Sequence, residues 1–212
     1  MISRISRAGL GAFTVSMLAA GAAQAHHPLG GGTPETFMQG FLSGIGHPMI
    51  GIDHFAFIVA VGLAAAFSAK RLLTPLAFVV ATMIGCMLHV AGIMLPLPEL
   101  FISASVVALG AFVLSGRKMA LPGQLGFFGL AGLFHGFAYG GAIIGAESTP
   151  LVAYLGSFAV TQYLIALGAM LLVTTVWKAA DSKAIQPRIA GALVAGVGFA
   201  FFFENVEGMI LG

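Results

Sequence analysis

The stretch Gly44-Ile45-Gly46-His47-Pro48-Met49-Ile50-Gly51-Ile52-Asp53-His54 opens a long apolar run with two imidazoles and one carboxylate. Ionisable groups inside a hydrophobic span are costly and mark ion pathways or binding sites. His47 and His54 lie seven residues apart. On a straight helix they share a face but stand ~10.5 Å apart along the axis. One metal ion takes nitrogen ligands at ~2.0–2.1 Å, so a straight helix cannot present both to it. Either the histidines are successive stations, or the helix breaks between them. Gly46, Pro48 and Gly51 permit a break, and broken helices line the sites of many membrane proteins. Asp53 points about 100° away from His54 around the axis, as a ligand or as an acceptor that orients a ligand imidazole.

The rest of the chain sets the class. Of 212 residues, 59% are hydrophobic and 8% are charged, and the mean hydropathy is +1.03. A soluble domain carries roughly 25% charged residues, so this chain cannot cover a water-facing surface. It reads as an all-α polytopic membrane helix bundle. The net charge of +2 is too small to point to nucleic acid. Cys86 is the only cysteine, which excludes an intramolecular disulfide and leaves metal chemistry mainly to His, Asp, Glu and Met.

The N-terminus reads as a targeting segment. Arg4 and Arg7 precede an apolar run from Ala8 to Ala20, and Ala23-Gln24-Ala25 is a small-x-small cleavage site. Residues 1–25 are therefore expected to be a cleaved signal peptide, and residues 26–212 a single transmembrane domain. The mature chain would begin His26-His27-Pro28. A free α-amine beside two imidazoles is a chelate for a divalent metal, which makes His26 and His27 candidate ligands.

Six apolar runs follow, near 44–67, 72–95, 99–116, 122–145, 150–177 and 188–211. Each approaches or exceeds the ~20 residues that span a bilayer. Lys70 and Arg71, Arg117 and Lys118, and Lys178, Lys183 and Arg188 all fall in alternate connections, while the intervening loops at 95–99 and 146–150 carry no Lys or Arg. The positive-inside rule makes the basic side cytoplasmic and both mature termini extracytoplasmic, in agreement with export by a signal peptide. Leu42-Ser-Gly-Ile-Gly-His47-Pro48 echoes Leu130-Ala-Gly-Leu-Phe-His135-Gly136 at the heads of runs one and four. Those runs point in opposite directions, so the echo suits a three-plus-three inverted repeat. Gly132, Gly136 and Gly140 form a stripe at every fourth residue that lets a neighbouring helix approach.

The polar groups inside the runs share a level. At ~1.5 Å per residue, Asp53 and His54 lie roughly 8–10 Å inside the outer end and His89 roughly 9 Å below the same face. His135 lies about 20 Å up from the cytoplasmic end of run four, and Glu204 about 24 Å along run six from Arg188. Histidines with unrelated structural roles have no reason to converge in depth. The candidate metal ligands are thus His47, Asp53, His54, His89, His135 and Glu204, with His26 and His27 at the mature terminus. Cys86, one turn before His89, would favour a softer ion. Tyr139 lies one turn beyond His135 on the same face and is placed to hydrogen-bond into the site.

His47-Pro48-Met49-Ile50-Gly51-Ile52-Asp53-His54 resembles the His-Pro-x-x-Gly-x-Asp-His signature in the first mature helix of the HupE/UreJ family of small nickel/cobalt permeases. The signal peptide, the early His-Pro pair and the six spans fit as well. Phe134-His135-Gly136-Phe137-Ala138 resembles that family's second motif, which continues His-Gly-x-Glu; here those positions hold Tyr139, Gly140, Gly141 and Ala142. The missing imidazole and carboxylate must be supplied elsewhere, with Glu204, His89 or His26-His27 as the open alternatives.

The resemblance implies secondary or passive uptake of Ni2+ or Co2+ across the bacterial cytoplasmic membrane. The ion is cargo, and no permanently bound cofactor is expected. The expected partners are the lipid bilayer, the metal ion and, downstream, a hydrogenase, urease or cobalamin pathway; a homo-oligomer stays open, and enzymatic activity is not expected. No Gly-x-x-x-x-Gly-Lys-Ser/Thr phosphate loop is present. Two other readings use the same residues: a b-type haem protein with His54, His89 and His135 as axial ligands, and an accessory protein that binds metal without conducting it.

Overall fold

The computed structural model describes residues 32–211. The expected signal peptide over residues 1–25, together with His26 and His27, lies outside the described residues. Among the described residues there are seven α-helices, in order: α1 (Phe37–Ile50), α2 (Ile52–Ala65), α3 (Thr74–Val90), α4 (Pro98–Leu114), α5 (Leu121–Gly140), α6 (Ser148–Leu171) and α7 (Ile185–Leu211). A 3-10 turn, Gly141–Ile143, extends α5, and a π turn, Leu172–Val176, extends α6. No strand occurs among the described residues.

Local chemistry sets the helix starts. Thr36 caps α1: its hydroxyl accepts from the Gln39 amide at 3.2 Å, and the Gln39 side chain accepts from the Thr36 amide at 3.2 Å. This reciprocal box satisfies two amide groups that a helix N-terminus leaves unpaired. It starts α1 at Phe37, seven residues ahead of the expected first apolar run. Pro in the first turn of α3, α4 and α5 loses no hydrogen bond there and fixes φ for the helix.

The first run is not one helix. It is α1 and α2, bent by 79°. The break falls at Gly51, whose backbone is extended at φ −71°, ψ 102°. Pro48 lies inside the last turn of α1; it has no amide hydrogen and clashes with the preceding turn, which weakens the helix just before the bend.

α2 is the axis of the molecule. Eleven of its fourteen residues are buried, including Phe57, Ile58, Ala60, Val61 and Ala65 with no exposed surface. It packs against α4, α6 and α7. Around it the other helices associate in three pairs, α1 with α6, α3 with α5, and α4 with α7. Small residues make the pairs close. A Cβ added at Gly136 of α5 would strike the backbone of Thr82, and one at Gly44 of α1 would strike the carbonyl of Tyr154. The stripe at Gly132, Gly136 and Gly140 therefore packs α5 onto α3, at Phe78, Thr82 and Cys86.

α5 with its 3-10 turn, α6 with its π turn, and α7 are each long and apolar enough to cross a membrane, and α1 and α2 are so together as a bent pair. α3 and α4 are apolar but have only 17 residues each. Large apolar side chains such as Leu193, Phe199 and Phe203 of α7 are exposed. A row of this kind on an outer helix face is what lipid requires and water penalises.

Candidate metal centre

The bend delivers the ionisable groups into the interior. His47 is buried in the last turn of α1, and Asp53 and His54 are buried in the first turn of α2. A helix that begins inside the protein aims its partial positive charge and unpaired amides inward, which repels a cation. Asp53 reverses that sign: its Oδ1 accepts the His54 amide at 2.8 Å, and its carboxylate lies at the dipole's positive end.

His54 meets His135 of α5 directly. Their Nδ1 atoms are 2.8 Å apart, with ring centroids at 4.9 Å. A gap that short holds one proton, so one nitrogen donates and the other offers its lone pair. His135 has no exposed surface. Phe57 of α2 lies 4.4 Å from its ring and Phe78 of α3 lies 5.7 Å away, centroid to centroid. Its Nε2 is 3.0 Å from Ser105 Oγ on α4. Four helices therefore clamp this pair.

Tyr139, one turn beyond His135, separates the two histidines of the opening stretch. Its ring is 4.3 Å from that of His54 and meets the ring of His47 edge-on at 4.9 Å. Its hydroxyl is buried with no hydrogen-bond partner among the described residues. His47 is held from the other side by Tyr154 of α6, whose hydroxyl lies 3.0 Å from His47 Nδ1 and donates to the Tyr139 carbonyl at 3.2 Å. The Tyr139 ring thus stands between His47 on one side and the His54-His135 pair on the other.

The other candidates lie elsewhere. His89 is half-buried on α3, stacked on Phe137 with ring centroids at 4.0 Å, and its Nδ1 bonds to the Phe137 carbonyl. Cys86 is buried among Tyr139, Ile143, Tyr154 and Phe158. Glu204 and Glu207 are exposed on α7, and Glu99 and Glu147 are exposed at the starts of α4 and α6. Among the described residues, no three His, Cys, Asp or Glu side chains stand close enough together to hold an ion. The level shared by five groups in the sequence thus becomes, in three dimensions, one tight imidazole pair with a carboxylate beside it. Sequence reasoning missed Ser105 and Tyr154. Both are ordinary residues of apolar helices, and only the helix pairing aims their hydroxyls at His135 and His47.

The profile of the family described as HupE / UreJ protein matches residues 14–201. The chain belongs to the HupE/UreJ family. It is 35% identical over 165 residues to the protein HupE of Rhizobium leguminosarum bv. viciae, covering 76% of this chain and 84% of that protein. No solved structure matches the chain. The HupE/UreJ match covers both motif regions, around Asp53-His54 and around His135. With its apolar helices, it makes this a multi-pass membrane protein.

Proposed function

We propose that this HupE/UreJ protein takes up a divalent transition-metal ion, Ni2+ or Co2+, across the bacterial cytoplasmic membrane by a passive or secondary route. The observation that carries this reading is the buried contact of His54 with His135, with Asp53 beside it at the joint where α1 breaks into the axial helix α2. Imidazole suits Ni and Co, and a carboxylate offsets part of the charge of the dehydrating ion. His47 is the outer station, reached first from the side where the His26-His27 terminus would lie. The ion delivered inside would supply a nickel or cobalt enzyme pathway.

Six crossings fit the architecture, with α1 and α2 as one broken span and α3 to α7 as the others. The helix pairing supports a three-plus-three inverted repeat. Exchanging the halves turns the pair of runs one and five into the pair of runs four and two, and returns the pair of runs three and six to itself. The basic loops would then face the cytoplasm. The membrane potential supplies a drive of roughly 4–5 kcal/mol per 100 mV for a divalent ion, twice that for a single charge. That amounts to about a thousandfold accumulation or more.

The haem reading gains less support. Two axial nitrogens on one iron stand about 4 Å apart, at ~2 Å each, whereas His54 and His135 are at hydrogen-bond distance, 2.8 Å. An absorption spectrum of the purified protein without a Soret band is the expected result. Uptake of radioactive Ni2+ and Co2+ into proteoliposomes, in competition, tests the main proposal. Wild type should accumulate one or both ions and Asp53→Ala should not. Metal binding without flux would instead establish an accessory role, and equal flux in both proteins would remove the site from Asp53.

A further inference from the structure

We infer that Ser105 and His135 form a positioning relay that fixes the His54 ring so that its Nε2 lone pair is the metal-binding atom. This deepens the proposed uptake function and rests on it. Ser105 has a single hydroxyl proton, and the Ile102 carbonyl 2.6 Å away can only accept, so the proton goes there. The Ser105 oxygen is also 3.0 Å from His135 Nε2 and has nothing left to donate. It accepts, which places the His135 ring proton on Nε2. A neutral imidazole has one N–H, so His135 Nδ1 carries a lone pair. His54 Nδ1, 2.8 Å away, must then be the donor. The remaining nitrogen of His54, Nε2, carries the lone pair that a metal needs.

Two further features agree. Both nitrogens of His135 are committed, and its ring is enclosed by Phe57 and Phe78 with no exposed surface. His135 is thus a positioning residue in this arrangement, and Ser105 is its anchor. Ligand histidines commonly donate their second ring N–H to a fixed acceptor, which orients the ring and sets the tautomer. Here the acceptor is a second histidine, and α4 determines its tautomer through one serine.

The test has two arms on the full chain in lipid nanodiscs or proteoliposomes. Imidazole 15N spectra of metal-free protein, assigned with single-histidine variants, should show His54 protonated at Nδ1 and His135 protonated at Nε2. In Ser105→Ala the His135 preference should be lost. In Ni2+ uptake, Ser105→Ala should raise KM about 10–100-fold with little change in maximal rate, and Ser105→Thr should stay within about threefold of wild type. Glutamine carries a carbonyl and an amide nitrogen at a separation close to that of the two ring nitrogens, so it can accept from His54 and donate to Ser105. His135→Gln should therefore outperform His135→Ala by about tenfold. A His54 proton on Nε2, a wild-type KM in Ser105→Ala, or equal loss in His135→Gln and His135→Ala overturns the relay. If wild type carries no metal, the uptake reading fails while the spectra still decide the relay.

Discussion

α1 and α2 meet inside one apolar run and have 14 residues each, yet they live in different surroundings. Eleven residues of α2 are buried, against five of α1. On α1 the buried residues form one stripe, Gly40, Ser43, Gly44, His47 and Pro48, that faces α6; Phe37, Met38 and Leu42 are exposed. α2 is enclosed except at Ile52 and Phe55, which are exposed near its start. The two stations differ in the same way. His47 is braced by a hydroxyl of α6 at the edge of the bundle, whereas His54 is braced by a second imidazole at its centre. The difference teaches that hydrophobicity sets only how much of a segment leaves water. Which half becomes core is decided by the bend at Gly51.

The largest effects are expected at the two histidines themselves. His54→Ala should reduce Ni2+ or Co2+ uptake by at least about 100-fold, and His47→Ala should raise KM by about tenfold with the maximal rate retained. Equal losses in proteoliposome flux would erase the distinction between an inner and an outer station. Next come the close approaches to α6. A Cβ at Gly62 would strike the Ala166 carbonyl inside the enclosed core, while one at Gly44 would strike Tyr154 and Ser157 on a helix whose outer side is open. Gly62→Ala should cost about 1–3 kcal/mol of stability in denaturant titration, and Gly44→Ala less, because α1 can shift outward.

Tyr154→Phe sharpens the contrast further. It removes the hydroxyl that ties His47 to the Tyr139 carbonyl, at a cost of about 1 kcal/mol and a rise in KM of a few fold, since a neutral hydrogen bond is worth about that much. The smallest effect is expected at Glu204→Gln. That side chain is exposed on α7, so uptake should remain within about twofold of wild type, as for a typical surface charge. A large loss there would bring α7 into the pathway.

Much of this was legible in the residues. Asp53 and His54 stand out because carboxylate and imidazole groups are rare in apolar runs, and the seven-residue gap from His47 demanded either a break or two stations; the structure has the break, at Gly51. The Gly132-Gly136-Gly140 stripe announced a close helix contact, and α3 makes it. The start of α1 at Phe37 was missed, although Thr36 and Gln39 stand at capping-box spacing beside the apolar Phe37, Met38, Phe41 and Leu42. Ser105 and Tyr154 were not legible, since a serine or tyrosine in a membrane helix is as often satisfied by its own backbone as by a partner. The convergence of five groups in depth was only partly informative. Depth along a helix is fixed by the number of residues, but direction around it depends on the partner helix, and Glu204 and His89 point elsewhere than the His54-His135 pair.

The sequence by itself determined the apolar helices, the HupE/UreJ signature and the identity of the inner carboxylate and imidazole. These follow from local chemistry: transfer of side chains out of water, backbone hydrogen bonding within each helix, and fixed spacing along the chain. The tertiary structure decided that α2 is the axis, that His135 meets His54 while Tyr139 stands between His54 and His47, and that Ser105 closes the chain of hydrogen bonds. These are contacts between residues up to about a hundred positions apart, for example 107 between His47 and Tyr154. They depend on how closely backbones approach at Gly44, Gly62 and Gly136, which no single segment specifies alone.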